Sequence, residues 1–271
     1  MKGVRPTMPA SLDRLLHIMA RLRDPDHGCP WDLEQNFASI APHTLEEAFE
    51  VVETIEANDL TALPDELGDL LFQIVFYAQM AAEQGIFDFA TVVEGICDKM
   101  ERRHPHIFAD QVIADSAAQT RAWEEQKAAE RKAKLQTGAL DGVSVALPAL
   151  TRAVKLQRRA ARVGFDWPRT EQVLDKLAEE IAELRAEMGE NPDPMRLQDE
   201  MGDILFVCAN LARKLDIDPE SALRHGNRKF ERRFRHIESS LVARGSSPAE
   251  SSLGEMEDLW QEAKRREKEL S

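Results

Sequence analysis

The sequence predicts an all-α fold built twice, and three observations carry that reading. Apolar residues recur at three- and four-residue spacing through most of the chain, while the two-residue alternation of a strand is nearly absent. Short clusters of Pro, Gly and Asp punctuate those stretches where helices stop and start. The acidic pattern Glu46-Glu47-x-x-Glu50 … Glu66-x-x-Asp69 returns as Glu179-Glu180-x-x-Glu183 … Glu200-x-x-Asp203, with fifteen and sixteen residues between its two parts.

Taken in order, Ser11 can cap a first helix that runs to about Arg21. The turn-rich segment Asp24-Pro-Asp-His-Gly-Cys-Pro-Trp-Asp32 follows. Thr44 and Glu47 have capping-box spacing and open a helix to about Asn58. Pro64 suits the start of the next helix, which ends around Gly85. Another spans about Phe89 to Arg103 and stops before Pro105, and residues 117–134 read as a charged helix. Residues 138–148 read as a linker. The second set runs about Ala149–Val163, Thr170–Met188, Met195–Leu215, Pro219–Ala243 and Ser252–Leu270.

The halves match beyond the acids. Asp69-Leu-Leu-Phe72 recurs as Asp203-Ile-Leu-Phe206, Lys99-Met-Glu-Arg-Arg103 as Lys229-Phe-Glu-Arg-Arg233, and Trp123-Glu-Glu-Gln-Lys127 as Trp260-Gln-Glu-Ala-Lys264. Conserved order at a slowly drifting offset marks a tandem duplication; two copies are too few for a solenoid. The expected modules are residues 1–137 and 149–271.

Composition bounds the function. In 271 residues, 43% are hydrophobic, enough for real cores. A net charge of −14 argues against nucleic acid and anionic membrane surfaces as partners. A polyphosphate substrate would need a metal to supply neutralising charge. Cys29, Cys97 and Cys208 form no CxxC and read as reduced thiols. The first residues lack a continuous apolar signal core, and the apolar run Leu70–Ala82, broken by Gln73 and Gln79, is too short to span a bilayer. A cytoplasmic location is the expectation.

Residues three or four apart share a helix face. Glu46, Glu47 and Glu50 therefore project together, as do Glu66 and Asp69. Antiparallel pairing of the two helices would point both sets into one cavity. Crowded carboxylates resist ionisation, and a divalent cation relieves the repulsion. Oxygen-only ligands without paired His or Cys favour Mg²⁺, with Mn²⁺ as a substitute. Glu66 and Glu200 are expected in first helical turns, where the dipole favours negative charge. Gly68 and Gly202 each cost a helix roughly 1 kcal/mol against Ala, which suggests close approach of a facing helix. Lys229 with Arg232 or Arg233, and Trp260 with Lys264, could contact the phosphates and base of a nucleotide. No P-loop is present.

Plainer readings compete. A single Glu-Glu-x-x-Glu is more often a solvated face, and a tryptophan is more often a core anchor than a stacking platform. Repetition of the whole acid set favours metal. A di-iron bundle would need Glu-x-x-His twice; Glu101-x-x-His104 fits, but its repeat partner is Glu231-x-x-Phe234.

The stretches Gly28-Cys-Pro-Trp-Asp32, Glu66-Leu-Gly-Asp69, Glu101-Arg-Arg-His-Pro-His106, Leu140-Asp-Gly-Val143, Leu147-Pro-Ala-Leu150, Val163-Gly-Phe-Asp-Trp167, Glu200-Met-Gly-Asp203 and Lys229-Phe-Glu-Arg-Arg-Phe234, with the two Glu-Glu-x-x-Glu runs, resemble the MazG family of nucleoside triphosphate pyrophosphohydrolases. The resemblance covers essentially the full length. It implies two MazG-type modules per chain, a homodimer, and Mg²⁺-dependent hydrolysis of NTPs and dNTPs to monophosphate and pyrophosphate. The metal ligands it implies are Glu180, Glu183, Glu200 and Asp203, with Glu47, Glu50, Glu66 and Asp69 as counterparts. Lys229, Arg233, Trp260 and Lys264 match nucleotide-contacting positions, and Glu179 is a candidate for orienting the attacking water or holding a second metal ion. The second module is expected to do most of the catalysis, although Lys99, Arg103, Trp123 and Lys127 keep the residue types in the first. The rivals are a pyrophosphatase narrow for dUTP or a modified nucleotide, and a helical dimeric interaction protein that binds metal without turnover.

Overall fold

The computed structural model describes residues 9–109, 115, 119, 122, 123, 138–189 and 191–269. Every regular element among them is helical. Contacts divide the chain into two compact units, Met1–Gln126 and Lys127–Ser271.

In the first unit, α1 (Pro9–Leu22) is followed by a short α2 (Pro30–Glu34) inside the turn-rich segment. Then come α3 (Phe37–Glu56), α4 (Leu63–Glu83), α5 (Phe89–Arg103) and α6 (Pro105–Phe108). Ser11 lies inside α1 rather than capping it. The start of α3 also differs from the sequence expectation. Asn36 is the cap: its side chain accepts from the Ala38 and Ser39 amides, and Ser39 Oγ accepts from the Asn36 amide. Pro42 sits within the helix, after the turn that this reciprocal cap holds. Thr44 is mid-helix, bonded to the Ile40 carbonyl and the Tyr77 hydroxyl.

The α3–α4 hairpin is the most heavily packed pair of the unit, and α1 covers α4. Met19, Ile40, Val75, Phe76 and Met80 are almost wholly buried between them. Contacts from Thr44 to Tyr77 and from Glu47 to Gln73 run in opposite directions along the two helices, so the hairpin is antiparallel. Arg23 pins the turn segment onto it: the guanidinium pairs with Glu83 at 2.7 Å, donates to the Asp32 carbonyl, and lies 5.4 Å from the centre of the Phe76 ring. Gly28 makes the turn possible, because a Cβ there would meet the Leu22 and Asp24 carbonyl oxygens at 2.5 Å.

The second unit repeats the hairpin. Residues 138–148 carry turns and lead into α7 (Ala149–Arg162). Helices α8 (Thr170–Glu187) and α9 (Pro194–Lys214) form the tightest pair, α7 packs on α9, and α10 (Pro219–Ala243) pairs with α11 (Leu253–Glu269) beyond a 3-10 turn at Pro248–Glu250. Ala153, Val154 and Ala209 make one small core; Ile237, Leu241 and Leu259 make another. Gln157 ties α7 to α9 by donating to the Phe206 carbonyl at 2.8 Å. The segment before α8 is clamped to the end of α9: Asp166 accepts from Arg213 and Lys214, and Lys214 also reaches the Trp167 carbonyl.

Two further expectations change. Among the described residues, nothing beyond the helix's own nearby backbone lies within 4 Å of a Cβ built on Gly68 or Gly202, so no described helix closely approaches either glycine. Glu66 is in the first turn of α4, but Glu200 is the seventh residue of α9, because that helix starts at Pro194 under an Asp193 cap. The charged helix expected over 117–134 lies outside the described residues, apart from Gln119, Ala122 and Trp123, which are helical. No described helix is long and apolar enough to cross a membrane. The three cysteines are free thiols.

The Asp166 clamp has a defined pH signature. Partial burial works to raise its pKa, but hydrogen bonds from Arg213 and Lys214 outweigh that and hold it below the ordinary aspartate value. A depressed folded pKa contributes stability above the unfolded value, lost as pH falls through the folded one. The stability difference between wild type and Asp166→Asn should therefore be constant from neutral pH to about pH 4 and shrink below it. Urea unfolding at several pH values reads this directly; a difference that persists undiminished at about pH 2 would contradict the clamp.

Candidate metal and nucleotide site

Each antiparallel hairpin brings carboxylates from two helices to one place. In the second unit, oxygens of Glu180, Glu200 and Asp203 all lie within 4.8 Å of one another; in the first, those of Glu47, Glu66 and Asp69 do the same. The spacing explains it. Glu180 and Glu183 are three residues apart on α8, Glu200 and Asp203 three apart on α9, and antiparallel packing turns the two pairs toward each other.

The fourth acid of each set stands beside the trio and registers the crowding. The Glu183 pKa is raised by its hydrogen bond with Glu180, then by desolvation and the Glu180 charge, with Lys176 opposing. The Glu50 pKa is raised by desolvation first, then by the charges of Glu47, Glu66 and Glu46. Carboxylates that resist ionising together, with only oxygen donors, are the chemistry of a hard divalent cation seat. The residues present therefore fit such an ion. In the first unit the seat adjoins a cleft of about 270 Å³ lined by Glu50, Glu53, Thr54, Ala57, Asp59 and Glu66. A third oxygen-rich group, Asp24, Asp26 and His27, lies in the turn segment, where Asp24 is engaged by the Asp26 and His27 amides.

The two seats differ in what accompanies Glu180 and its counterpart Glu47. Glu180, 4% exposed, pairs with the Lys176 ammonium at 2.9 Å, and the same ammonium pairs with the exposed Glu179 at 2.6 Å. Those two bonds, that to Glu179 first, hold the lysine above its ordinary range. In the first unit, Glu47 instead accepts from the buried amide of Gln73 on α4 at 3.2 Å. The equivalent of Lys176 is His43, which faces Glu46 at 3.5 Å and stands edge-on to Trp31. The sequence pointed to no role at the acid cluster for Lys176 or His43, and Gln73 stood out only as a break in an apolar run. Helical spacing could have found them, since Lys176 and His43 sit four residues before Glu180 and Glu47, and Gln73 four after Asp69.

The basic candidates occupy a different helix pair, α10–α11. Arg233 lies 5.4 Å from the Trp260 ring centre, and Trp260 packs against Phe230 in the second small core. Glu267, which the sequence reading did not consider, binds both arginines at 2.7 Å. Its pKa is lowered, first by the Arg233 hydrogen bond and then by Arg232. Lys229 and Lys264 are half-buried and make no ion pair among the described residues. No hydrogen bond or ion pair joins this basic group to the acid cluster among the described residues. In the first unit, the Trp123 ring nitrogen donates to the Arg103 carbonyl at 2.9 Å; Lys127 lies outside the described residues.

Comparison with known proteins matches this doubled arrangement. Residues 35–108 and 169–238 each match the MazG nucleotide pyrophosphohydrolase domain, and the two stretches take in both hairpins. A nucleoside triphosphate pyrophosphohydrolase of Escherichia coli (strain K12) is 52% identical over 96% of this chain and 99% of its own. A Thermotoga maritima protein named nucleoside triphosphate pyrophosphohydrolase/pyrophosphatase MazG is 38% identical over 93% of this chain and 95% of its own. A Bacillus subtilis (strain 168) protein, YabN, is 41% identical over 93% of this chain but only 51% of its own length.

Proposed function

The chain belongs to the MazG nucleotide pyrophosphohydrolase family, and from that premise we propose that it hydrolyses nucleoside and deoxynucleoside triphosphates to the monophosphate and pyrophosphate with Mg²⁺, for which Mn²⁺ can substitute. The observation that carries the reading is the convergence of Glu180, Glu200 and Asp203 across one hairpin, beside Glu183. Glu47, Glu66, Asp69 and Glu50 repeat it in the first unit.

These carboxylates would hold the cation, which when bound supplies positive charge to the triphosphate and acidifies a water. The remaining work falls to the chain's own groups. Glu179, exposed at the mouth of the seat, would orient the attacking water and accept its proton. The water oxygen bonds to the α-phosphorus, the bridging bond to the β-phosphate breaks, and pyrophosphate leaves. Lys229 and Arg233 would neutralise charge on the phosphates as it shifts toward the leaving group. For Arg233 and Arg232 this means exchanging Glu267 for phosphate oxygens. Trp260 and Lys264 would contact the base and sugar without reading its edges closely, which favours broad base specificity.

We assign the principal activity to the second unit. A product assay tests both parts of the proposal. ATP or dTTP with Mg²⁺ should yield monophosphate and pyrophosphate, and EDTA should stop the reaction. Glu200→Gln or Asp203→Asn should lower turnover on the order of 100-fold or more, about 2.7 kcal/mol of transition-state stabilisation, while Glu66→Gln should cost much less. Orthophosphate plus a diphosphate would refute attack at the α-phosphorus, and equal losses from the two sets would assign the activity to both units.

The chain should also pair with itself. Leu205 and Phe206, 51% and 43% exposed, share the α9 surface with Met201 and the open Gly202; Leu67, Leu71 and Ile74 do so on α4 beside Gly68. Large apolar side chains flanking a glycine that none of the described residues approaches suit a second copy of the same helix, and twofold pairing is the commonest closed solution. Light scattering at low micromolar protein should give twice the chain mass of 30.6 kDa. A fully active species at the single-chain mass would overturn the pairing.

A further inference from the structure

The two acid seats are compensated differently, and the difference is built from named side chains. In the second unit the partner of the buried glutamate is a full positive charge on the same helix, Lys176, reaching Glu180 at 2.9 Å. Among the described residues, the other charged groups facing that seat are carboxylates: Glu179 and Glu183 from α8, Glu200 and Asp203 from α9. In the first unit the partner of Glu47 is a neutral amide on the opposite helix, Gln73, which is 8% exposed and fixed within the hairpin. The position equivalent to Gln73 in the second unit is Val207, a buried apolar side chain with no donor to offer. One donor has been exchanged for the other, and only one of them is charged.

We infer that Lys176 is a displaceable internal counter-ion, occupying the approach to Glu180 until a divalent cation expels it, so that the second seat binds divalent cations more weakly than its carboxylates alone would, while the first carries no such competitor among the described residues. The inference rests on the reading of Glu180, Glu183, Glu200 and Asp203 as cation ligands. The physics is direct. An ammonium within 3 Å of a ligand carboxylate repels an incoming cation and must give up that bond before the carboxylate can turn to it. Lys176 is able to leave. Its side chain is 30% exposed on a flexible four-carbon stem, and Glu179, outside the trio, already shares its ammonium. Gln73 cannot leave in the same way and has no charge to oppose the ion. Before the cation arrives, the ammonium holds the crowded acids of α8 together, a task the Gln73 amide performs for Glu47 without competition.

Manganese binding to the full chain, followed by the loss of the free-ion electron paramagnetic resonance signal, isolates each seat. With the first seat disabled by Glu66→Gln and Asp69→Asn, Lys176→Met should tighten binding at the second seat roughly fivefold or more, the scale of one unit charge a few ångströms from the ion in a water-like medium. Lys176→Gln should act in the same direction. With the second seat disabled by Glu200→Gln and Asp203→Asn, His43→Lys should weaken binding at the first seat by a similar factor. Binding at the second seat that is unchanged or weaker in both Lys176 variants overturns the inference and leaves the ligand assignment standing. No manganese binding in either background removes the ligand assignment and this inference together.

Discussion

Like charges held close together are the constraint on which the rest of this molecule depends. Four carboxylates per hairpin are pressed toward one point, and the raised pKa values of Glu50 and Glu183 record the resistance. Packing elsewhere overcomes it. In the first unit Met19, Ile40, Phe76 and Met80 bury against one another where α1, α3 and α4 meet. In the second, Val173 and Val207 are buried on α8 and α9, and Gln157 fastens α7 to the backbone of α9. Hydrophobic burial fixes the hairpin, and the hairpin then imposes proximity on groups that would otherwise separate. A cation bound there would gain from strain that the fold maintains in its absence.

Outer clamps serve the same end. Arg23 ties the Gly28–Asp32 turn to the end of α4, and Arg213 with Lys214 ties the Asp166 segment to the end of α9. The polarity is reversed between the units: an arginine before the hairpin meets a glutamate on α4, whereas an aspartate before the hairpin meets basic residues on α9. Both solutions lock the entry of the first hairpin helix against the exit of the second.

The sequence revealed the parts that depend on periodicity. Repeated acids at spacing three, apolar spacing, and Pro or Gly at the ends located the helices to within a residue or two for α5 and for every helix from α7 onward. It misjudged what depends on competition between local signals. Thr44/Glu47 has capping-box spacing, yet Asn36/Ser39 forms the box, and Thr44 instead spends its hydroxyl on the Ile40 carbonyl and Tyr77. The acid trios were foreseeable because their carboxylates recur at helical spacing on regular faces. Their partners were harder to read. Gln73 looked like an interruption in an apolar run, and Lys176 like one charge on a charged helix, until packing placed Gln73 against the half-buried Glu47 and Lys176 against the buried Glu180. Glu267 lies three residues beyond Lys264, and only the pairing of α10 with α11 brings it to Arg232 and Arg233.

The central claim is that each hairpin's carboxylates form a cation seat, and the most direct measurement is anomalous diffraction from crystals of the full chain soaked in manganese. The account predicts a manganese peak within coordination distance of Glu180, Glu200 and Asp203, a second at Glu47, Glu66 and Asp69, and loss of the first in Glu200→Gln. Peaks only at other surface acids, with both trios unoccupied at saturating manganese, would contradict it.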